Sequence, residues 1–298
     1  MRPITPTLMA ALKTGWTTDY QAGFDAVETV WREIAMEVKS TGSETVYPFL
    51  GQMPRIREWI GERRIRSLAV HGFAIKNRKF ENTVTIRRED IEDDVAGVYN
   101  PVFQMMGADA ARHPEQLIFE LVNLGFSNPC YDGKNFFDIE HPAVGPTGQE
   151  GVFSNYQVGD GPAWFLFDTS HPIKPLIYQN RIPFKMSKLS NDEDEYVFVL
   201  DQFLYGVRGR SNAGYGMWEM AFASRAPLNA ANYEAARAAM STLRGDEGKP
   251  LGIKPTVLVA PDILEGDARR VLSATTVNGG DSNIWAGTAK LITTPYLG

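Results

Sequence analysis

Apolar positions in the first ninety residues change from helical to strand-like spacing. Residues 17–19 can cap a helix whose apolar side chains recur every three or four positions, namely Phe24, Val27, Trp31, Ile34 and Val38. From Ile65 the apolar residues alternate with polar ones, the chain turns at 77–79, and alternation resumes from Phe80 to Ile86. The pattern predicts an N-terminal arm and helix, followed by a long β-hairpin over 61–88.

Helical spacing returns after the predicted hairpin. Acidic residues open this segment, and apolar residues then follow at intervals of four and three: Ile91, Val95, Val98, Val102 and Met105. Pro101 predicts a kink. A second helical run starts near Pro114 and stops at Gly125, with Leu117, Leu121 and Leu124 along one stripe. Together the two runs predict one long, interrupted helical rod.

The remainder of the chain indicates an α+β protein. Residues 126–220 are rich in turns, and 164–167 and 196–200 are short apolar runs that predict buried strands. Asn229 can cap an alanine-rich helix whose inward residues are Tyr233, Ala236, Met240 and Leu243. A buried strand over 256–260 follows, and Asp262 then opens a helix that carries Leu264, Ala268, Val271 and Leu272.

Composition narrows the class of protein. The 298 residues are 43% hydrophobic and 22% charged, which is typical of a folded chain with a substantial core. A formal net charge of −6 argues against nucleic-acid binding as the main function of the protein. No apolar run approaches a membrane span, and the N-terminus does not resemble a secretory signal, so we expect no membrane partner. The single Cys130 excludes an intrachain disulfide and favours a reducing cytosol during synthesis.

The predicted hairpin is basic within an acidic chain. Residues 61–90 contain eight Lys or Arg and four acids, a net charge of +4 that leaves −10 for the rest. Because an isolated hairpin buries too little surface to be stable, we expect it to lie across another subunit, although it could also cover its own domain. The predicted basic contacts are Arg63, Arg64, Arg66, Lys76, Arg78, Lys79, Arg87 and Arg88. Their predicted acidic partners are Glu92, Asp93 and Asp94, or the acids of 192–195.

Two short segments, called the Asp/His repeats below, share a pattern that could form a metal or catalytic site. Residues 137–142 and 167–172 each place an Asp three positions before a His-Pro pair, giving Asp138 with His141 and Asp168 with His171. Two Asp and two His could hold a metal in a hydrolase. However, each His precedes Pro, and such Asp residues commonly cap turns. No catalytic signature surrounds Cys130, so we interpret it as structural, and we expect no catalytic residue, metal or cofactor.

The order of elements resembles the Hong Kong 97-type phage capsid fold, and particular segments are similar to the Mu-like major head subunit (gpT) family. The arm helix, basic hairpin, long helix, strand-rich middle and late α/β unit follow each other as in that fold. The segments that resemble the family are 136–142, 163–179, 228–237, 248–259, 283–288 and 294–297.

The resemblance implies domains and a function. Residues 1–44 would form the N-terminal arm, 45–90 the E-loop hairpin, 91–220 the P-domain with its spine helix, and 221–298 mainly the A-domain. The chain would be the major capsid (head) protein of a tailed bacteriophage, forming hexamers and pentamers of an icosahedral shell around double-stranded DNA. The alternatives are the metal-dependent hydrolase and another virion component, such as a tail or decoration protein.

The same resemblance implies partners. These are copies of the chain itself, a portal, a possible decoration or minor capsid protein, and packaged DNA bound on the inner face without sequence specificity. A separate scaffolding protein is expected because the chain begins directly with the arm. Assembly would take place in the host cytoplasm and the product would be the virion capsid.

Overall fold

A computed structural model of the chain describes residues 4–48, 50, 73–93, 95–144, 149–191, 194–245, 248–277 and 280–298. The α-helices are α1 (Pro6–Asp25), α2 (Trp31–Ile34), α3 (Arg88–Glu92), α4 (Asn100–Asn123), α5 (Glu195–Leu200), α6 (Ala230–Ser241) and α7 (Glu265–Leu272). Short 3-10 turns lie at Ala96–Tyr99, Leu124–Phe126, Trp218–Met220 and Asp262–Leu264.

The strands fall into a central sheet, a second sheet and small pairs. They are β1 (Ala35–Lys39), β2 (Glu44–Tyr47), β3 (Phe73–Lys76), β4 (Arg78–Arg87), β5 (His141–Val144), β6 (Glu150–Phe153), β7 (Tyr156–Gln157), β8 (Trp164–Phe167), β9 (Leu176–Leu189), β10 (Gln202–Tyr215), β11 (Ala221–Ser224), β12 (Val257–Pro261), β13 (Thr276–Val277), β14 (Asp281–Ser282) and β15 (Lys290–Thr294).

The central sheet has the strand order β1-β9-β10-β4 and supports the two long helices. Strands β9 and β10 are antiparallel and each contains 14 residues. Helix α1 packs along α4, which also contacts β10 and β9. Trp16 of α1, Phe103 of α4 and Tyr205 of β10 meet there, with ring centroids 4.8 to 5.8 Å apart. The helix pair is therefore fixed to the sheet through an aromatic core.

The second sheet has the strand order β15-β12-β8-β11-β7. Every residue of β8, β11 and β12 is buried. Helices α6 and α7 contact this sheet, and β15 returns from the end of the chain to pair parallel with β12. The predicted strands at 164–167 and 256–260, the Asn229 cap and the helix after Asp262 are confirmed, the last with a 3-10 first turn.

Two helix predictions need correction. The first helix is α1, which starts at Pro6 with the Thr5 hydroxyl as its cap, and it ends before Trp31. Residues 35–39 instead form β1 and pair with β9, because strand pairing outweighs a helical spacing that continues by chance. The predicted rod is interrupted before Pro101 and not at it: 88–92 form α3 and 96–99 a 3-10 turn, and α4 then runs without a break from Asn100 to Asn123. Pro101 lies in the first turn of α4, where no N–H partner is needed, and Pro114 lies inside the helix.

The predicted strand over 196–200 is also wrong. These residues belong to α5, which follows a turn where the Asp194 carboxylate accepts the Asn191 N–H. Val197 is buried, but Phe198 is 83% exposed. A five-residue apolar run does not distinguish a strand from a short helix by periodicity alone.

The predicted hairpin pairs differently from the expectation. Strand β3 pairs with β2, while β4 pairs with β10 over its whole length. The expected pairing of 65–76 with 80–86 is therefore wrong, and 51–72 lie outside the described residues. The reason is at Asn77, which is buried and donates its backbone N–H to Ser43. The chain passes there from a hairpin into the central sheet instead of folding back.

None of the described helices is long and apolar enough to cross a membrane.

Candidate assembly interface

Strands β2 and β3 form a two-stranded sheet of their own, called the hairpin base below, which contacts the central sheet. These two strands are antiparallel, and their register runs from Glu44 opposite Lys76 to Tyr47 opposite Phe73. The intervening chain contains Arg63, Arg64 and Arg66, which lie outside the described residues. The antiparallel pair that the structure shows is therefore β2 with β3, on either side of 48–72, and not the pair that the sequence predicted around the turn at 77–79.

A buried hydrogen-bond network fastens this base to β9. The Tyr47 hydroxyl donates to Gln179 Oε1 at 2.8 Å, and Gln179 Nε2 donates to Asn77 Oδ1 at 2.8 Å and to the Ile75 carbonyl at 3.0 Å. Asn77 Nδ2 continues the network to Ser40 Oγ at 2.9 Å. Burial raises the pKa of Tyr47 to about 12. Since each of these buried groups is paired, the network holds the hairpin base in one position.

The predicted basic contact residues divide into two groups. Lys76, Arg78 and Lys79 are exposed where β3 passes into β4, and the Arg78 guanidinium lies 5.1 Å from the Phe80 ring centroid. Arg87 instead pairs with Asp90 of its own chain at 3.0 Å. That hydrogen bond raises the pKa of Arg87 and lowers the pKa of Asp90.

Arg88 also has an acid of its own chain. Its guanidinium pairs with Asp201 and lies 4.9 Å from the Phe203 ring centroid. Glu92 is half-buried at the end of α3 and Asp93 is exposed, while Asp94 and 192–193 lie outside the described residues. Contacts of Glu92 and Asp93 with the hairpin of another copy stay predictions.

An exposed apolar face, which the sequence did not indicate, lies on α5. Phe198, Val199 and Leu200 are 83%, 67% and 47% exposed. The helix is followed by Asp201, whose backbone is left-handed at φ 51° and whose carboxylate binds Arg88. The sequence missed this surface because the same residues fit a buried strand. A large apolar face beside a charge pair is typical of a protein contact.

The Asp and His side chains of the two Asp/His repeats have different hydrogen-bond partners. Asp138 caps a turn, since its carboxylate accepts the N–H groups of Asn135 and Glu140. His141 bonds instead to Asp132, with 2.7 Å between Nδ1 and Oδ2. Asp132 was absent from the sequence prediction because its link to His141 is created by the loop between α4 and β5.

The second Asp/His repeat, 167–172, mainly forms a turn. Asp168 is buried at the end of β8, and its carboxylate accepts the N–H groups of Ser170 and Lys254 at 2.9 and 2.8 Å. His171 Nε2 lies 3.5 Å from Asp168 Oδ2. Asp138 and Asp168 are thus both occupied by backbone N–H groups, as expected for turn chemistry.

His141 belongs to a buried polar cluster of five residues: Cys130, Tyr131, Asp132, His141 and Glu219. The Cys130 thiol donates to Asp132 Oδ1 at 3.1 Å, and the Tyr131 hydroxyl donates to Glu219 Oε1 at 2.7 Å. Burial, and then the Asp132 charge, raise the pKa of Cys130. Burial also raises the pKa of Glu219. Burial opposes ionisation of Asp132, but hydrogen bonds from His141, the Lys134 N–H and Cys130 outweigh it and lower its pKa.

A long helix against a four-stranded sheet, a hairpin base packed on the two inner strands of that sheet and a second sheet with two helices define a phage capsid subunit. The solved procapsid subunit of bacteriophage JBD30 has this fold: its TM-score is 0.87 at 40% identity, covering 99% of this chain and 100% of that one. A JBD30 capsid structure matches with a TM-score of 0.80 at 30% identity over 99% of both chains. The Hong Kong 97-type fold predicted from the order of elements is confirmed.

The chain belongs to the family of the Mu-like prophage major head subunit gpT, whose model matches residues 9–297. It is 40% identical to the major capsid protein of Escherichia phage Mu over 99% of both chains. It is also 40% identical to the FluMu prophage major head subunit of Haemophilus influenzae over 91% of both. The predicted family and the predicted role as the major capsid protein of a tailed phage are confirmed, and the hydrolase alternative has no support.

Proposed function

We propose that copies of this chain form the hexamers and pentamers of an icosahedral shell around double-stranded DNA, with the hairpin of each copy lying across a neighbour. In this proposal 1–44 are the arm, 45–90 the E-loop, 91–220 the P-domain and 221–298 mainly the A-domain. The chain acts as a shell component rather than a catalyst, and the shell is assembled in the host cytoplasm.

The hairpin base is the observation that carries the proposal. Strands β2 and β3 are fixed to β9 through Gln179, while the chain between them holds three arginines close together in sequence. The +4 charge of 61–90 is offset by −10 elsewhere in the chain, so a second copy offers the complementary surface. Each exposed ion pair contributes only about 0–1 kcal/mol, which favours a reversible, error-correcting assembly.

Exposed apolar side chains also support contacts between copies. Phe198, Met105 and Ile284 are 83%, 71% and 75% exposed. Their burial against neighbours contributes roughly 25 cal/mol per Å² of apolar area. Repeated around closed rings, such heterologous contacts produce a stable shell from individually weak interfaces.

Further partners are proposed from the family role. They are a separate scaffolding protein, a portal, and packaged DNA on the inner face without sequence specificity. A solved JBD30 capsid is decorated with minor capsid protein trimers, and its subunit matches this chain with a TM-score of 0.79. We extend that kind of partner, a decorating minor capsid protein, to this chain.

Reversal of the hairpin charge tests the proposal. The triple variant Arg63→Glu, Arg64→Glu, Arg66→Glu, co-expressed with a scaffolding protein, should fold but fail to form shells. Circular dichroism checks the fold, and negative-stain microscopy with sedimentation measures the shells.

A charge-conserving variant provides the matched control. The triple Arg63→Lys, Arg64→Lys, Arg66→Lys keeps the positive charge and should assemble in near-normal yield. Normal shells from the glutamate variant would remove the hairpin from the mechanism. Failure of both variants would show that side-chain geometry, rather than charge, makes the contact.

A further inference from the structure

The buried polar cluster between α4 and β5 contains a set of metal-ligating atoms. Cys130, Asp132 and His141 each offer one ligand atom, and the three atoms lie within 4.8 Å of one another. The Cys130 residue is 4% exposed, and the His141 and Asp132 side chains are 0% and 7% exposed. A thiol, a carboxylate and an imidazole together are a donor set suited to Zn²⁺, whereas Mg²⁺ and Ca²⁺ prefer oxygen alone.

A tight turn brings two of these groups together. The Cys130 N–H donates to the Lys134 carbonyl, and the Gly133 N–H donates to the Cys130 carbonyl. Gly133 adopts a φ of 82°, which suits glycine in such a turn. The side chains of Cys130 and Asp132 therefore project to the same side, where His141 meets them from the first position of β5.

Two polar atoms of the cluster are buried and have no hydrogen-bond partner among the residues that the structure describes. They are His141 Nε2 and Glu219 Oε2. A buried unpaired polar atom costs about 1–3 kcal/mol, so two in one cluster are unusual. The Glu219 carboxyl interacts electrostatically with His141, Asp132 and Cys130, and therefore belongs to the same cluster.

We propose that this cluster binds a structural Zn²⁺ ion through Cys130 Sγ, an Asp132 carboxylate oxygen and a His141 ring nitrogen, with Glu219 Oε2 as the fourth ligand. Zinc ligands at about 2.0–2.3 Å from the ion lie roughly 3.3–3.8 Å apart. The ligand atoms of Cys130, Asp132 and His141 lie within 4.8 Å of one another and need only small side-chain movements, whereas the Glu219 side chain has to turn toward them. On binding, the Cys130 S–H bond breaks, its proton leaves to solvent and the thiolate donates to the ion. The expectation of no metal, drawn from the sequence, is revised by this proposal.

The ion would act as a clip between two parts of the chain. Cys130 and Asp132 follow α4, whereas Glu219 lies in the 3-10 turn that leads into β11. The His141 ring already stacks on Trp218, with 4.0 Å between ring centroids. A metal here would lock the end of the long helix to the second sheet, independently of how copies of the chain assemble.

The test uses the full chain produced in minimal medium with Zn²⁺ or Co²⁺, because buried ligands bind metal most readily during folding. Mass spectrometry should find one zinc ion per chain. The cobalt form should show a thiolate-to-cobalt charge-transfer band in the near ultraviolet. Since Cys130 is the single cysteine of the sequence, that band reports on its sulfur alone and needs no variant.

Variants distinguish metal bound at the buried cluster from metal bound at the protein surface. Cys130→Ala and His141→Gln should lower the bound metal at least about tenfold. The variant His171→Gln changes the histidine of the second Asp/His repeat, and this protein should retain the full metal content. The proposal is overturned by an unmodified chain without stoichiometric metal, by equal metal in all variants, or by bound cobalt that gives no charge-transfer band.

Discussion

At the scale of single residues, His113 shows how packing sets protonation. Its ring lies against Phe80 and Phe184, with centroids 4.2 and 5.1 Å away, and its Nε2 lies 3.2 Å from Ser211 Oγ. Burial lowers its pKa to about 4; the Asp109 charge opposes this shift, and the Arg78 charge adds to it. The aromatic rings that enclose it come from β4 and β9, which are distant from residue 113 along the chain.

This pKa predicts a dependence of stability on acidity. Because the pKa is lower in the folded chain than its ordinary 6.5, unfolding takes up a proton between pH 6.5 and about 4. The free energy of unfolding should therefore fall as the pH falls through that range, by at most about 3 kcal/mol from this residue. Urea unfolding of the subunit at pH 7 and pH 4.5 measures it.

His113→Gln is the comparison for that experiment. The variant cannot titrate, so it should lose less stability between the two pH values than the unmodified chain, while contributions from carboxylates cancel in the difference. An identical pH dependence in both proteins would contradict the assignment.

At the scale of elements, the contact between α1 and α4 depends on two glycines. A Cβ added at Gly23 would lie 1.9 Å from the Gln104 carbonyl oxygen, and one at Gly107 would lie 1.9 Å from the Tyr20 carbonyl oxygen. Both clashes are with backbone, which cannot move without separating the helices. The glycines thus set the close approach of the arm helix to the long helix.

Gly107→Ala should therefore destabilise the chain by roughly 1–3 kcal/mol, as overpacking does. The thermal unfolding midpoint of the purified subunit measures it. Gly15→Ala is the matched control in α1, because its added Cβ has no described atom within 4 Å apart from the nearby backbone of its own helix. It should raise stability by about 0.5–1 kcal/mol through helix propensity. Equal midpoints for the two variants would show that the helices do not meet as described.

Helices and strands whose start, end and apolar pattern are all visible in the local sequence could be predicted. The helix α6 has its Asn229 cap and a spaced apolar stripe, and β12 is an uninterrupted apolar run between prolines. The spine helix was found, but its start was not, because Pro101 suits a kink and a first turn equally. Residues 196–200 were assigned wrongly because a five-residue apolar run fits a buried strand and a short helix equally well.

At the scale of the whole molecule, the exposed apolar surface indicates contacts with neighbouring copies of the chain. Phe198 is 83% exposed on a helix of six residues, next to the Arg88–Asp201 pair. In a subunit of a closed shell, a second copy is the natural cover for this side chain.

Phe198→Ser should leave the subunit folded but weaken shell formation. Burying a phenylalanine contributes roughly 1.5–3 kcal/mol, so the subunit concentration needed for assembly should rise about tenfold or more. Light scattering during assembly measures that concentration. Phe198→Leu keeps an apolar side chain and should assemble nearly normally. Unchanged assembly of the serine variant would place α5 outside the contacts.

From the sequence alone, local patterns of apolar and turn residues predicted most of the elements, and the resemblance of their order and of particular segments to a known family predicted the capsid class. The sequence also determined the basic character of the hairpin region. Tertiary structure decided which strands pair: β3 joins β2 and β4 joins β10, since pairing depends on the partners available in space. It likewise placed Asp132 beside His141, because a loop, rather than any sequence spacing, creates that contact.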